Sequence, residues 1–295
     1  MTAPDLMYGF GVMTGISGCL FLLGILVAEH ASKRINVLIL ILTLATMGVY
    51  LYYLWDDILL AKLLPFSNLI VVGNWLPPLA GFLAGVAWKS MPGSLRRRNL
   101  YAVVMLVISL IAMVEPVWGT TPECNDAWDD FVCRQTSETS CSAAAAATLL
   151  RLHGIVSTEQ EMAELCLTQS RGTSWQGLYR GLCLKTIGTD LEVEVLSCSA
   201  RDLVVLNKSP LILVVGIPKG VAVDPIYTEE YQWGVGDLHS VVFLGFERDG
   251  SARIADPEVG VETWSWEDLN VLVRGRAIRL VHRVSPLSNS KDSES

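Results

Sequence analysis

Residues 140–154, SCSAAAAATLLRLHG, decide how the second half of the chain folds. Alanine has the highest helix propensity, and a run of alanines also lets a helix pack closely against its neighbours. Either Ser140 or Thr139 is suited to cap the N-terminus, and Gly154 is suited to end the helix. The stretch therefore predicts a closely packed helix with Cys141 in its first turn.

The segments after this helix predict two more helices and then strands. The helical segments are STEQEMAELC at 157–166, with a capping-box pattern, and SWQGLYRGLCLKTIG at 174–188. Alternating or continuous apolar runs predict strands at 191–197, 211–217, 239–246, 251–256 and 277–284. A helical half packed on an antiparallel sheet is an α+β domain, predicted here over residues 121–284. The polar residues 285–295 predict a disordered tail.

The first 120 residues contain four apolar stretches long enough to cross a bilayer, which needs about 20 apolar residues as a helix. They lie at about 8–28, 35–55, 68–88 and 100–118. Gly73, Asn74, Pro77 and Pro78 interrupt the third stretch, so a buried core hairpin is the alternative there. We predict that residues 1–120 form an all-α transmembrane region of four helices.

The charges at the ends of these stretches predict their orientation. The leading MTAPDLM contains Asp5 and no Lys or Arg, unlike a signal peptide, so the first helix is expected to be retained. The first connection holds Lys33 and Arg34, and the third holds Lys89 and the arginines at 96–98. Because basic loops face the cytoplasm, both the N-terminus and the second domain are predicted to lie on the extracytoplasmic side of the cell membrane.

Several classes of function are disfavoured by composition and motifs. A net charge of −8 argues against a nucleic-acid-binding protein, which carries a basic face to neutralise phosphates. Neither a paired C-x2-C nor an H-E-x-x-H spacing is present to predict zinc, and no G-x-x-x-x-G-K-[ST] loop predicts an ATP-binding domain. We expect no cofactor.

Cys124 and Cys133 flank the short acidic segment ECNDAWDDFVC, just after the last apolar stretch. In an oxidising compartment they could close a small disulfide loop. The alternative is that they are two unrelated thiols.

Cys141 and His239 are the candidates for a reactive pair. A cysteine in the first turn of a helix is suited to be a nucleophile, because the free N–H groups and the helix dipole stabilise a thiolate. His239 directly precedes a predicted strand and follows a polar loop, so a rigid element would present it to an open cleft. The alternatives are a structural cysteine and a structural histidine.

Asp256 and Gln135 are the candidate partners of this pair. If ERDG at 247–250 is a four-residue hairpin loop, Phe246 pairs with Ser251 and Val241 faces Asp256. Asp256 then lies diagonally opposite His239, where a carboxylate can orient an imidazole. The alternative for Asp256 is a turn cap before proline. Gln135, six residues before Cys141, could stabilise an oxyanion together with the Cys141 N–H.

These motifs in this order resemble the C39 peptidases, papain-like cysteine peptidases that process leader peptides of bacteriocins. The matching segments are QTSETSC at 135–141, HSVVFLGF at 239–246 and ADPEVG at 255–260, within residues 134–283. The resemblance implies a peptide or protein substrate, with Cys141 as nucleophile, His239 as base, Asp256 as orienting acid and Gln135 as oxyanion donor. The expected function is therefore a membrane-anchored thiol protease that hydrolyses peptide bonds.

Two departures from the family pattern leave other functions open. Ser142 follows the cysteine where the family usually has glycine, and the membrane helices precede the domain. One alternative is a degenerate domain that binds a peptide or a partner without cleaving it. The other is a transglutaminase-like acyl transferase, which has the same Cys, His, Asp order.

Overall fold

The computed structural model of the chain describes residues 3–206 and 210–283. The tail predicted at 285–295 lies outside the described residues. Within them, a bundle of apolar helices is followed by an α+β domain with antiparallel sheets, as predicted.

Four helical segments of the first half are long and apolar enough to cross a membrane: Pro4–His30, Lys33–Leu54, Leu69–Ser90 and Leu95–Val117. Their helices are α1 (Pro4–His30), α2 (Lys33–Val49), the short α3 (Leu59–Leu63), α4 (Leu69–Val72), α5 (Leu76–Ser90) and α6 (Leu95–Val114). A π-helical turn, Tyr50–Leu54, extends α2, and a 3-10 turn, Glu115–Val117, extends α6. These four segments match the four predicted apolar stretches.

The third segment is the central one, which explains why it tolerates its interruption. Residues 73–75 separate α4 from α5, and the freed backbone carbonyl of Gly73 accepts a hydrogen bond from the Tyr50 hydroxyl. The Asn74 amide donates to the carbonyl oxygen of Ala112 at 2.8 Å. Neighbouring helices thus satisfy the polar groups that the break releases, as hydrocarbon surroundings require. α5 packs against α1, α2 and α6.

Glycine permits the closest of these helix contacts. A Cβ atom at Gly24 of α1 would collide with the carbonyl oxygen of Phe82, and one at Gly85 of α5 with that of Phe21. Small residues of this kind let helix backbones approach one another closely in a membrane.

The second domain contains six helices and two sheets in its described part. The helices are α7 (Cys141–Leu152), α8 (Glu159–Leu165), α9 (Trp175–Lys185), α10 (Ala200–Leu206), α11 (Pro225–Glu229) and α12 (Trp266–Leu272). The strands are β1 (Ala127–Asp129), β2 (Val132–Arg134), β3 (Leu191–Cys198), β4 (Leu211–Val215), β5 (His239–Phe246), β6 (Ala252–Asp256), β7 (Gly260–Trp264) and β8 (Val273–His282). β1 and β2 form a hairpin, and the others form one antiparallel sheet in the order β3-β8-β4-β5-β6-β7.

The alanine run of α7 lies at the centre of this domain. All five alanines, 143–147, are fully buried, and α7 packs against α8, α9 and the sheet strands β4 and β5. Larger side chains there would overpack the contact, at a cost of about 1–3 kcal/mol each. The predicted cap is only partly right, because the Ser140 hydroxyl bonds to the carbonyl of Ser137 instead of a helix N–H.

The two halves of the chain meet at an interface that has both apolar and polar contacts, here called the joint. The first half, which contains α1 to α6, is here called the membrane half. It contributes three residues to the same buried cluster as α7 and α9, namely Leu60, Ala61 and Leu69. Arg180 of α9 donates two hydrogen bonds to the Asp5 carboxylate, at 2.7 and 2.8 Å. The second domain is therefore held directly against the membrane helices and is not suspended on a free linker.

Candidate active site

Cys141 is the first residue of α7, where the backbone N–H groups of the first turn have no partner within the helix. The residue as a whole is partly exposed, and it lines a cleft that His239 also lines. Burial alone would raise the pKa of the thiol. The hydrogen bond and the charge interaction with His239 outweigh burial and lower this pKa below its usual value.

His239, at the start of β5, is held by Asp256 at the end of β6. The imidazole Nε2 lies 2.9 Å from Oδ1 of Asp256, and the ring also forms a hydrogen bond with Cys141, for which Nδ1 is the remaining nitrogen. Asp256 is fully buried, and its Oδ1 also accepts the backbone N–H of Glu258 at 2.6 Å. Burial would lower the pKa of His239, but the Asp256 carboxylate raises it well above its usual value. The pair Cys141 and His239 thus favours the thiolate and imidazolium forms.

The strand register that brings Asp256 to His239 differs from the predicted one near the turn. Phe246 pairs with Ala252, not with Ser251. A β-bulge between Phe243 and Gly245 then shifts the register by one residue, so that Val242 pairs with Ala255. Gly245 has a φ of +134°, which suits glycine at a bulge. The predicted register is wrong by one residue at the turn, and the bulge shifts the register back by one residue. Asp256 therefore lies on the predicted face of the sheet.

A comparison of the described cysteines outside the membrane helices singles out Cys141. Burial raises the pKa of each of the other five, to about 11 for Cys124, Cys183 and Cys198 and about 12 for Cys133 and Cys166. Cys141 alone among them has a lowered pKa. Cys124 and Cys133 are free thiols in the structure, and the disulfide between them stays a prediction.

Comparison with known proteins finds a similarity in the same region of the chain as the candidate site. The model of the Peptidase C39 family matches residues 130–217. Over these residues the second domain is similar to C39 peptidases, and it is called the C39-like domain below. The match includes Gln135 and Cys141 and ends before His239 and Asp256, so the roles of all four residues remain proposals. No curated protein sequence is significantly similar to the chain.

Solved structures similar to this chain include peptidase domains of transporters. The peptidase domain of Streptococcus ComA, a bifunctional ABC transporter of a quorum-sensing pathway, is 21% identical, with a TM-score of 0.39. The match covers 51% of this chain and 96% of that one. A double-glycine-motif protease from an AMS/PCAT transporter, solved with its leader peptide, is 17% identical over 56% and 97% of the two chains, again with a TM-score of 0.39. The peptidase domain of Streptococcus mutans ComA is 23% identical over 51% and 98%, with a TM-score of 0.35.

Gln135 of the C39-like domain follows the β1–β2 hairpin and lies beside the other candidates. Its backbone N–H donates to the carbonyl of Pro257, the residue after Asp256, at 2.9 Å. Its side chain lines a cavity of about 560 Å³ together with His239. Oε1 is buried without a hydrogen-bond partner. The structure therefore brings all four predicted residues to one place in the C39-like domain.

Ser142, which departs from the family pattern, bonds to the residue that follows the histidine. Its hydroxyl lies 2.8 Å from the hydroxyl of Ser240, and both side chains are buried. This bridge ties α7 to β5 directly behind Cys141 and His239. In the sequence each of these serines directly follows a predicted site residue. That position alone could not show that the two hydroxyls form a hydrogen bond.

Two further groups near His239 have no signal in the sequence. The Trp233 ring lies 4.8 Å from the imidazole, centroid to centroid, and covers it from the side of the loop that precedes β5. Glu262 of β7 is partly buried. Burial and the nearby Asp256 carboxylate raise its pKa to about 7. An apolar lid and a second carboxyl group thus surround the pair formed by His239 and Asp256.

Proposed function

We propose that the chain is a membrane-anchored cysteine peptidase that hydrolyses peptide bonds through Cys141, His239 and Asp256. One observation carries the proposal. Cys141 has a lowered pKa and faces a histidine whose Nε2 is bonded to a fully buried carboxylate. This combination produces a thiolate, the nucleophilic form of cysteine, near neutral pH.

In the acylation step, the Cys141 thiolate attacks the carbonyl carbon of the scissile bond and forms a C–S bond. The carbonyl oxygen becomes an oxyanion, to which the Gln135 side-chain amide and the Cys141 backbone N–H are proposed to donate hydrogen bonds. The C–N bond then breaks. His239 gives its proton to the leaving amine, and the acyl group remains on sulfur as a thioester.

In the deacylation step, neutral His239 takes a proton from a water molecule, whose oxygen attacks the thioester carbon. The C–S bond breaks, the carboxylic acid product leaves, and the thiolate and imidazolium are restored. Asp256 keeps Nδ1 of His239 directed at the sulfur and stabilises the imidazolium in both steps. Trp233 limits the access of water to the bond between His239 and Asp256.

The membrane half is proposed to anchor this domain in the cell membrane. The four apolar segments are long enough to span it, and the basic residues of the first and third connections support a cytoplasmic location for those connections. The C39-like domain then lies on the extracytoplasmic side. Detergent or lipid must therefore be present in any assay of the full chain.

A peptide library tests the reaction type. The purified full chain and its Cys141→Ala variant are incubated with a proteome-derived peptide library and a primary amine, and the products are identified by mass spectrometry. We expect new peptide termini with wild type only, carrying a free carboxylate. Amine attached to glutamine side chains would indicate an acyl transferase instead. Intact peptides with both proteins would leave a peptide-binding domain.

A further inference from the structure

The cleft that contains Cys141 is the first of three adjoining cavities that lead to the membrane half of the molecule. This catalytic cleft, a cavity of about 650 Å³, shares Ser170 and Arg171 with a second cavity of about 910 Å³. The second, here called the juxtamembrane cavity, is lined by Val114, Glu115 and Trp118 at the end of α6. It shares Leu110 with a third, apolar cavity of about 300 Å³ between α1, α5 and α6, here called the membrane groove.

Contacts at the rim show that the cleft opens at the end of the membrane helices. Asp56 lines the catalytic cleft only two residues after Leu54, the last residue of the second apolar segment. Arg276 holds Asp56 at 2.9 Å and stacks over the Trp175 ring of the cleft. Arg171, shared by two cavities, pairs with Glu115 at the end of α6. A peptide bond in this cleft therefore lies close to the membrane surface.

His239 lies between two cavities, and this position indicates in which direction a substrate chain runs through the site. The acyl part of a substrate becomes bonded to the Cys141 sulfur, and Cys141 lines the catalytic cleft but not the cavity beside Gln135 and Trp233. The leaving amine receives its proton from His239 and departs toward the cavity beside Gln135 and Trp233. The side that leads to the membrane is thus the side of the substrate's N-terminal, acyl portion.

The membrane groove has the length and the apolar lining to contact one face of a further helix. Its α6 lining runs from Ala102 to Met113, about 17 Å at the helical rise of 1.5 Å per residue. That is roughly half of the 30 Å hydrocarbon core. At Gly18 an added Cβ would meet open space, so this residue leaves room in the groove for the close approach of another helix in lipid. Leu106 on its rim is 64% exposed, so the groove opens to the surrounding lipid.

From this series of adjoining cavities we infer that the substrates are membrane-anchored polypeptides whose transmembrane helix precedes the scissile bond. The helix lies in the membrane groove, and the chain after it passes the juxtamembrane cavity and enters the catalytic cleft in extended form. Cleavage falls within about ten residues of the anchor, a reach of roughly 33 Å. It releases the C-terminal portion from the membrane. This inference rests on the proposed peptidase activity.

Three versions of one test substrate examine the inference with the full chain in liposomes. A sequence cleaved in the peptide library is used without an anchor, with a 20-residue leucine–alanine helix before it, and with the same helix after it. We expect the first anchored form to be cleaved at least tenfold faster than the unanchored peptide. The form with the anchor after the bond should show no such gain. Equal rates for both anchored forms would overturn the inference while leaving the peptidase activity intact.

A matched pair of glycine variants tests the groove itself. Gly18 and Gly15 lie on the same helix, and a Cβ at either has open space, but only Gly18 lines the groove. In Gly18→Leu we expect the rate ratio of anchored to unanchored substrate to fall toward one, whereas Gly15→Leu keeps the wild-type ratio. A wild-type ratio in both variants would indicate that lipid chains fill the groove, and would overturn its assignment. Cleavage of no form by any protein would instead remove the proposed function.

Discussion

The joint between the two halves and the active site each contain a carboxylate paired with a basic side chain, and the two pairs are built differently. At the joint, both oxygens of Asp5 accept hydrogen bonds from Arg180, which also donates to the Leu165 carbonyl. In the site, one oxygen of Asp256 accepts two bonds, and the other, Oδ2, is buried without a partner.

This difference separates a structural ion pair from a reactive one. A saturated pair has fixed charges, and its contribution is lost only when one partner is removed. An incompletely satisfied carboxylate keeps an uncompensated negative charge beside its histidine, and this charge raises the pKa of His239. We therefore expect mutations at the joint to change stability, and mutations in the site to change reactivity.

The largest expected effect is on stability at the joint. In Arg180→Ala, Asp5 would remain largely buried without its partner, and the free energy of unfolding should fall by about 3 kcal/mol. Thermal unfolding of the full chain in detergent measures this loss. The control is Arg279→Ala, whose bond to Glu194 is more exposed and should contribute about 1 kcal/mol or less. Equal losses in the two variants would contradict the assignment of the joint.

Asp256→Asn should have the next largest effect, on reactivity. The amide keeps the shape of the side chain but loses the charge that raises the pKa of His239, so the pKa of Cys141 rises in turn. The rate of Cys141 alkylation at pH 6 should fall about tenfold to a hundredfold, which corresponds to one or two pKa units. Asp249→Asn, in the exposed turn after β5, is the control and should react as wild type. An unchanged rate in Asp256→Asn would mean that the carboxylate only fills space.

Glu262→Gln should change the pH dependence of stability. The pKa of Glu262 is raised from 4.5 to about 7 in the folded protein. Between these values the folded state binds more protons than the unfolded state, so this contribution to stability is present below pH 4.5 and is lost as the pH rises through 7. The variant should be about 1–2 kcal/mol more stable than wild type at pH 8 and similar to it at pH 4. Thermal unfolding across this range, with the exposed Glu267→Gln as control, measures the difference. The same gain at both pH values would refute the titration of Glu262.

The smallest expected effect is at the serine bridge behind the site. Removing one hydroxyl in Ser142→Ala leaves the other buried without a partner, at a cost of about 1 kcal/mol. Alkylation of Cys141 should slow only about threefold. The double variant with Ser240→Ala should cost no more than the single one, because no buried hydroxyl is then left unpaired. Additive losses would show that the two hydroxyls act independently.

The features that could be predicted from the sequence are those that depend on residues close together in the chain. Helix α7 could be predicted because its alanines and Gly154 act locally. Asp256 could be placed opposite His239 because strand alternation limits the register to two faces. The turn was predicted wrongly at Phe246, since a single bulge shifts a register without leaving a pattern in composition.

The contacts that could not be predicted join distant parts of the chain. Asp5 and Arg180 are 175 residues apart, and Ser142 and Ser240 are 98 apart. Trp233 lies in the loop before β5, which has no periodic pattern to show which face it covers. Such contacts follow from the packing of whole elements and not from any local propensity. The residues that hold the C39-like domain on the membrane helices therefore became visible only in the structure.

The pH dependence of Cys141 alkylation, followed by mass spectrometry in wild type and His239→Ala, tests the central claim most directly. We predict a fast rate that persists below pH 7 in wild type and is lost in the variant, because His239 stabilises the thiolate. A slow rate in both proteins, rising only near the free-thiol pKa of about 8.5, would contradict the proposed site.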